Sequence, residues 1–406
     1  MLTQLEPAIK QYLFVSANYW IFTLSDGALR MLIVLHFHTL GYSPLDIALL
    51  FLFYEIFGVV TNLLGGWLAA RIGLNRTMNL GLSLQITALA MLLVPTEQLT
   101  VVWVMLAQAL SGIAKDLNKM SAKSSIKLLL KADAEQSLFR WVAFLTGSKN
   151  SLKGCGFFLG GLLLWWIGFH GAVLAMLLTL SFTLMLSLLK LRGDLGRTQY
   201  KPKFKELLSK SRNINLLSAA RFFLFAARDI WFVVALPVYL STQLGWSHTQ
   251  VGSFLALWII GYGIVQTLAP WVTGNTKAHG PKQSQAFIGS ISLMVPLIFI
   301  GLLLPISDAP EEILIPGLLI FGVLFAVNSS IHSYLILSLA NRDAVSLDVG
   351  FYYMANAAGR LTGTLLSGWL YQAYGLAICI AASAFFVLIC TVITSQLEID
   401  GFANRN

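Results

Sequence analysis

The sequence predicts an all-α integral membrane protein with twelve transmembrane helices in two six-helix halves. Three observations carry that expectation. The chain is 57% hydrophobic and only 11% charged, its apolar runs recur at about twenty residues, and its basic residues concentrate on one side of those runs. A mean hydropathy of +0.75 over 406 residues is more than a soluble domain of this size carries.

Apolar runs bounded by Gly, Pro, Asn or charge place the spans near 12–38, 45–70, 77–94, 98–122, 137–167, 172–191, 215–241, 249–272, 284–305, 313–338, 348–371 and 376–396. An even number puts both termini on the same side. The turns at 36–46, 95–98, 169–171, 241–248, 306–312 and 372–375 contain no Lys or Arg, whereas 20 of the 27 basic residues lie in segments on the N-terminal side. Positive charge stays in the cytoplasm, so both termini are expected there. The first apolar run is too long for a cleavable signal and contains Asp26 and Arg30.

A polar basic stretch divides the spans six and six, giving a bundle over 1–191, a linker over 192–214 and a second bundle over 215–406. Its charge is that of a topology anchor beside anionic lipid. No aromatic or Gly-rich motif accompanies it, so no nucleic-acid partner is expected. Cys155, Cys379 and Cys390 lie in apolar segments without metal-ligand spacing and read as buried small hydrophobes. Neither a metal nor a cofactor is expected.

Seven cations interrupt the spans: Arg30, Lys115, Lys149, Lys153, Arg221, Arg228 and Arg360. Each charge at the bilayer centre costs about 2.5–3.5 kcal/mol on insertion scales, so these side chains line a polar interior. Four acids in the same spans, Asp26, Glu55, Asp116 and Asp229, leave an excess of three positive charges. That excess points to a bound anion. Arg30 and Arg228 can hold oxyanions bidentately, and Lys149, Lys153 and Arg360 offer a second cationic locus. Two loci suit a substrate anionic at both ends.

The neighbourhoods of these charges leave alternatives open. Asp26 and Arg30, at i and i+4, could simply neutralise each other. Arg228 and Asp229 are adjacent and face different directions, so mutual pairing is not expected. Lys149 and Lys153 repel each other one turn apart, with Asn150 between them, and require an anion or distant acids. Lys115, Lys119 and Lys123 share one face of span four, as a basic cytoplasmic helix end or as an entry funnel for anions. Arg221 can be read as a helix-end residue. Asp26, Glu55, Asp116 and Asp229 are either proton-coupling carboxylates or counter-charges only. On span ten, Asn328, Ser329 and His332 supply neutral hydrogen-bonding groups, although a lone His is as readily structural.

The halves repeat. A shift of 204 places Leu40-Gly41-Tyr42-Ser43 on Leu244-Gly245-Trp246-Ser247, and a shift of 207 places Lys153, Gly156, Gly161 and Gly168 on Arg360, Gly363, Gly368 and Gly375. Gly66-Trp67-Leu68-Ala69-Ala70-Arg71-Ile72-Gly73 resembles the cytoplasmic loop motif of the major facilitator superfamily, with Ala70 in place of the usual Asp. Gly156-Phe157-Phe158-Leu159-Gly160-Gly161 resembles that superfamily's antiporter signature, with Phe157 in place of Pro; close helix packing is the alternative reading. The resemblance implies the major facilitator fold, two pseudo-symmetric halves and a midplane site between them.

Longer blocks resemble something narrower. Asn18-Tyr19-Trp20, Asp26 to Met31, Ser111 to Lys123, Thr146 to Asn150 and Ala227 to Pro237 resemble the ArsJ family of arsenic-resistance permeases, and the likeness runs along nearly the whole chain. It implies a bacterial inner-membrane efflux transporter for 1-arseno-3-phosphoglycerate, with a glyceraldehyde-3-phosphate dehydrogenase as the functional partner that makes the substrate. Both ends of that molecule are hard oxyanions, which want Arg and Lys rather than thiolates. The alternatives are an organophosphate:phosphate exchanger or another anion/proton antiporter of the same superfamily. A membrane sensor or an enzyme is disfavoured, since no nucleophile–His–carboxylate or metal-ligand constellation is present.

Overall fold

The computed structural model describes residues 7–42, 50–129, 135–191, 195–196, 210–274 and 280–397. The linker expected at 192–214 falls largely outside the described residues, as do both chain ends. Thirteen α-helices and no strand occur among the described residues: α1 (Pro7–Thr39), α2 (Leu52–Ile72), α3 (Leu74–Met91), α4 (Val101–Leu129), α5 (Glu135–Lys190), α6 (Arg212–Phe232), α7 (Ala235–Thr242), α8 (His248–Val272), α9 (Gln283–Ser292), α10 (Met294–Leu303), α11 (Pro310–Leu339), α12 (Val345–Tyr374) and α13 (Leu376–Ser395).

Among the described residues, eight stretches are long and apolar enough to cross a membrane. One of them, within α5, holds two spans joined at Gly168, whose backbone leaves the helix at φ 70° and ψ −178°. The helices α3, α4 and α12 are of spanning length but more polar, because they carry the buried charges and amides of the interior. With these, twelve passes are made. Spans seven and nine are each broken once, at Val233–Val234 between α6 and α7 and at Leu293 between α9 and α10.

The repeat is written in the backbone. Gly168 and Gly375, related by the shift of 207, have nearly the same left-handed geometry, the second at φ 80° and ψ −177°. Gly41 and Gly245, related by 204, are likewise left-handed, at φ 85° and 69°. Only glycine takes such angles without strain.

The chain divides into two compact units. The first contains residues 1–134, 148–209 and 340–354; the second contains 135–147, 210–339 and 355–406. The start of α12 therefore packs with the first unit and the start of α5 with the second. In the first unit a Cβ on Gly156 would lie 2.6 Å from the Leu24 carbonyl oxygen, and in the second a Cβ on Gly363 would lie 2.6 Å from that of Ala226. The glycines of the signature-like stretch thus serve close packing, of α5 on α1 and of α12 on α6 in the same manner. The second unit is filled by an aromatic core in which Trp231 meets Trp258 and Phe321 edge to face.

Candidate functional site

In the first unit, α2 and α4 cross closely because glycines face backbone: a Cβ on Gly112 would sit 2.6 Å from the Tyr54 carbonyl oxygen. That approach gathers charges from three helices around the Tyr54 ring. The Tyr54 hydroxyl donates to both carboxylate oxygens of Asp26, at 2.9 and 3.0 Å. The Lys115 ammonium lies 3.8 Å from the ring centroid and the Arg30 guanidinium 5.1 Å from it, both in cation–π range. Arg30 Nη2 donates to Glu55 Oε1 at 3.0 Å and the guanidinium also covers Phe51.

The pairing of Asp26 with Arg30 entertained from their spacing is replaced by two separate pairs. Arg30 turns to α2, where Glu55 offers an acceptor, and Asp26 is held by Tyr54. One turn further along α4, Asp116 is buried and accepts from Lys119 at 2.5 Å, with Lys115 at 3.9 Å. Lys123 donates to the Tyr353 hydroxyl at the start of α12, and Lys119 lies over the same ring. The face of three lysines on α4 is thus built into the unit, Lys123 being 5% exposed.

Lys149 and Lys153 occupy α5 on the first unit's side of its division. Lys149 donates to Asn150 Oδ1 at 3.1 Å, and Lys153 lies 6.0 Å from the Phe157 ring centroid.

In the second unit the pair Arg228–Asp229 corrects the expectation drawn from adjacency. Arg228 Nε donates to Asp229 Oδ1 at 2.6 Å, because the long side chain folds back along the helix. Arg360 Nε donates to the other oxygen, Oδ2, at 3.0 Å. One fully buried carboxylate therefore orients two guanidiniums from α6 and α12. Aromatic faces support Arg228: Phe225 at 4.9 Å, Phe325 at 5.5 Å and Phe232 at 5.8 Å.

Arg221 is no helix-end residue. It is 3% exposed, donates through Nε to Asn356 Oδ1 at 2.9 Å, and through Nη1 to the Ser329 carbonyl and hydroxyl oxygens. Asn328 and His332 of α11 are fully buried, Asn328 donating through Nδ2 to Ser290 Oγ at 3.1 Å, so neither lines an open surface. The signal that could have revealed Arg221 was the run of small polar residues on α11, where Ser329 accepts from both Arg221 and Gln266.

Of the cysteines, Cys379 and Cys390 are buried as expected, whereas Cys155 is exposed on α5. No cluster of His, Cys, Asp or Glu able to hold a metal occurs among the described residues.

The Ala70 departure has a structural counterpart. Ala70 is buried against Leu347, with Leu63 and Trp67 around it, and Gly66 meets the Ser346 carbonyl of α12. An apolar contact stands where the superfamily motif carries an acid.

The profile of the Major Facilitator Superfamily matches residues 217–397, the second half of the chain. No protein with a curated description matches in sequence. Among solved structures, the human organic anion transporter MFSD10 is 16% identical with a TM-score of 0.75, over 96% of this chain and 100% of that one. A bacterial homologue of the iron transporter ferroportin in its outward-facing state is 15% identical with a TM-score of 0.75, over 95% and 98%. The fucose:proton symporter of E. coli is 11% identical with a TM-score of 0.75, over 97% and 100%. Taken with the repeated glycine geometry and the membrane-length helices, these likenesses show that the chain has the major facilitator fold.

Proposed function

We propose that the protein exports an organic oxyanion charged at both ends, 1-arseno-3-phosphoglycerate in particular, from the cytoplasm by alternating access, and so confers arsenate resistance. The observation that carries this reading is the sharing of one buried carboxylate in the second unit: the guanidiniums of Arg228 and Arg360 both bond Asp229. Buried charge of one sign is costly unless a ligand compensates it. Arg228 and Arg360, oriented by a carboxylate behind them, present forks suited to phosphate or arsenate oxygens. Lys149, Lys153 and Arg30 supply the cationic locus of the first unit, Asn150 orients Lys149, and Lys115 and Lys119 guide anions toward it.

The coupling groups in this reading are Asp26, which Tyr54 holds, and Asp229, with Glu55 and Asp116 as counter-charges. The halves joined by the linker 192–214 move as the transporting bodies, with both termini in the cytoplasm of a bacterial cell and the chain in its inner membrane. The resemblance to the ArsJ permeases selects the substrate, and the dehydrogenase that uses arsenate in place of phosphate supplies it. The symmetric bracing of Asp229 by two arginines also suits an organophosphate:phosphate exchanger. The two separate in an arsenate-sensitive bacterium expressing the permease with and without the dehydrogenase: resistance that needs both proteins supports arseno-phosphoglycerate export. Resistance from the permease alone, or none, contradicts it.

A further inference from the structure

In the first unit, burial divides the charges gathered around Tyr54 into two layers. Asp26 and Tyr54 are buried, whereas Arg30, Glu55 and Lys115 keep 26%, 32% and 20% of their side-chain surface accessible. The two accessible cations share the buried ring, Lys115 at 3.8 Å and Arg30 at 5.1 Å from its centroid. The backbone of α5 crosses α1 between Asp26 and Arg30, since a Cβ on Gly27 would lie 2.7 Å from the Lys153 carbonyl oxygen. The helix turn that carries Lys153 therefore reaches the same place.

Both cations retain capacity for a ligand. Lys115 stands 3.9 Å from Asp116, longer than a hydrogen bond, and Asp116 accepts from Lys119 at 2.5 Å instead. A guanidinium has five N–H donors in a planar fork, and the hydrogen bond from Arg30 to Glu55 engages Nη2.

The carboxylate placed to take up that capacity is Asp26. It precedes Arg30 by one helical turn on α1, the spacing at which opposite charges meet. In the fold it is turned elsewhere, because the Tyr54 hydroxyl donates to both of its oxygens. The position of Tyr54 is in turn set by α4: a Cβ on Gly112 would lie 2.6 Å from its carbonyl oxygen and 3.0 Å from its Cα. Backbone packing thus holds the phenol, and the phenol holds the carboxylate.

We infer that Tyr54 is a positioning residue for anion binding: its hydroxyl keeps Asp26 off Arg30, and so leaves the Arg30 fork and the Lys115 ammonium open to a phosphate- or arsenate-type oxyanion of the substrate. This deepens the proposed function and rests on its anion reading. Tyr54 acts through Asp26 and not by touching the ligand with its hydroxyl. Without that hydroxyl, Asp26 closes on Arg30 and competes with the substrate.

The test is a double-mutant cycle read by equilibrium binding of 3-phosphoglycerate to the purified full-length protein in nanodiscs. Tyr54→Phe keeps the ring beside both cations and removes only the hydroxyl. It is expected to weaken the probe about tenfold, the competition of one partly buried ion pair. Adding Asp26→Asn to Tyr54→Phe is expected to restore affinity to within about twofold of wild type, so that Asp26→Asn gains about fivefold more in the Tyr54→Phe background than alone. A purely structural role for Tyr54 produces no such rescue.

Unchanged affinity in Tyr54→Phe overturns the inference. So does a loss that Asp26→Asn leaves in place, or an equal effect of Asp26→Asn in both backgrounds. If Tyr54→Phe alone does not fold, the double variant is compared with Asp26→Asn: affinities within about twofold support the inference, because the hydroxyl then has no carboxylate to hold, and a several-fold difference overturns it. In all these outcomes the wild type binds the probe and the anion reading stands. A wild type that does not bind 3-phosphoglycerate contradicts the anion reading, and the inference falls with it.

Discussion

Asp229 and Glu55 show how differently two membrane carboxylates can matter. Asp229 is fully buried and braces two guanidiniums, whereas the Arg30–Glu55 pair keeps 26% and 32% of its side-chain surface accessible. Removing the carboxylate of a buried ion set strands its partners, at about 3–5 kcal/mol. A partly solvated pair is worth about 1 kcal/mol or less. Asp229→Asn is therefore expected to lower the melting temperature of the purified protein markedly and Glu55→Gln hardly at all. Equal shifts in the two variants would show that Asp229 does not carry the second unit's charge balance. The residue types were legible in the sequence, since charges inside apolar runs announce themselves. Their partners were not. Tyr54 meets Asp26 only because Gly112 lets α4 approach α2, and Arg228 reaches its own neighbour by folding its side chain back.

Element by element, the most legible feature was the repeat. The glycines aligned by shifts of 204 and 207 recur with positive φ, at Gly41 and Gly245 and at Gly168 and Gly375, because the reversal between spans needs a backbone angle that a side chain strains, although a Cβ there would meet no other atom. Less legible was the continuity of α5, where a turn was expected at 169–171 and only Gly168 breaks the helix. The helical glycines Gly156 and Gly363 face carbonyl oxygens at equal distances, so an added methyl should cost the same in both units, about 1–3 kcal/mol of overpacking. Gly156→Ala and Gly363→Ala should lower thermal stability alike, as read by detergent melting curves. A large effect at one and none at the other would mean that the two crossings are not equivalent. Ala70 makes a related point: read against the superfamily motif it is a missing acid, but in the folded chain it packs on Leu347, so Ala70→Asp places a charge in an apolar contact and is expected to destabilise.

For the whole molecule, composition and charge asymmetry were enough to set the class and the number of passes, because a bilayer admits few solutions. Hydropathy alone would have missed α3, α4 and α12, whose polar residues face the interior. In the proposed reading, the cations inside the helices are what would give this scaffold a preference for anions. The account is tested most directly in proteoliposomes that enclose the dehydrogenase with glyceraldehyde 3-phosphate, NAD and arsenate, following arsenic in the external medium. It predicts arsenic release that requires both the permease and the active dehydrogenase inside, and that falls strongly in Arg228→Gln. Release of arsenate at the same rate with the dehydrogenase omitted, or no permease-dependent release at all, would contradict it.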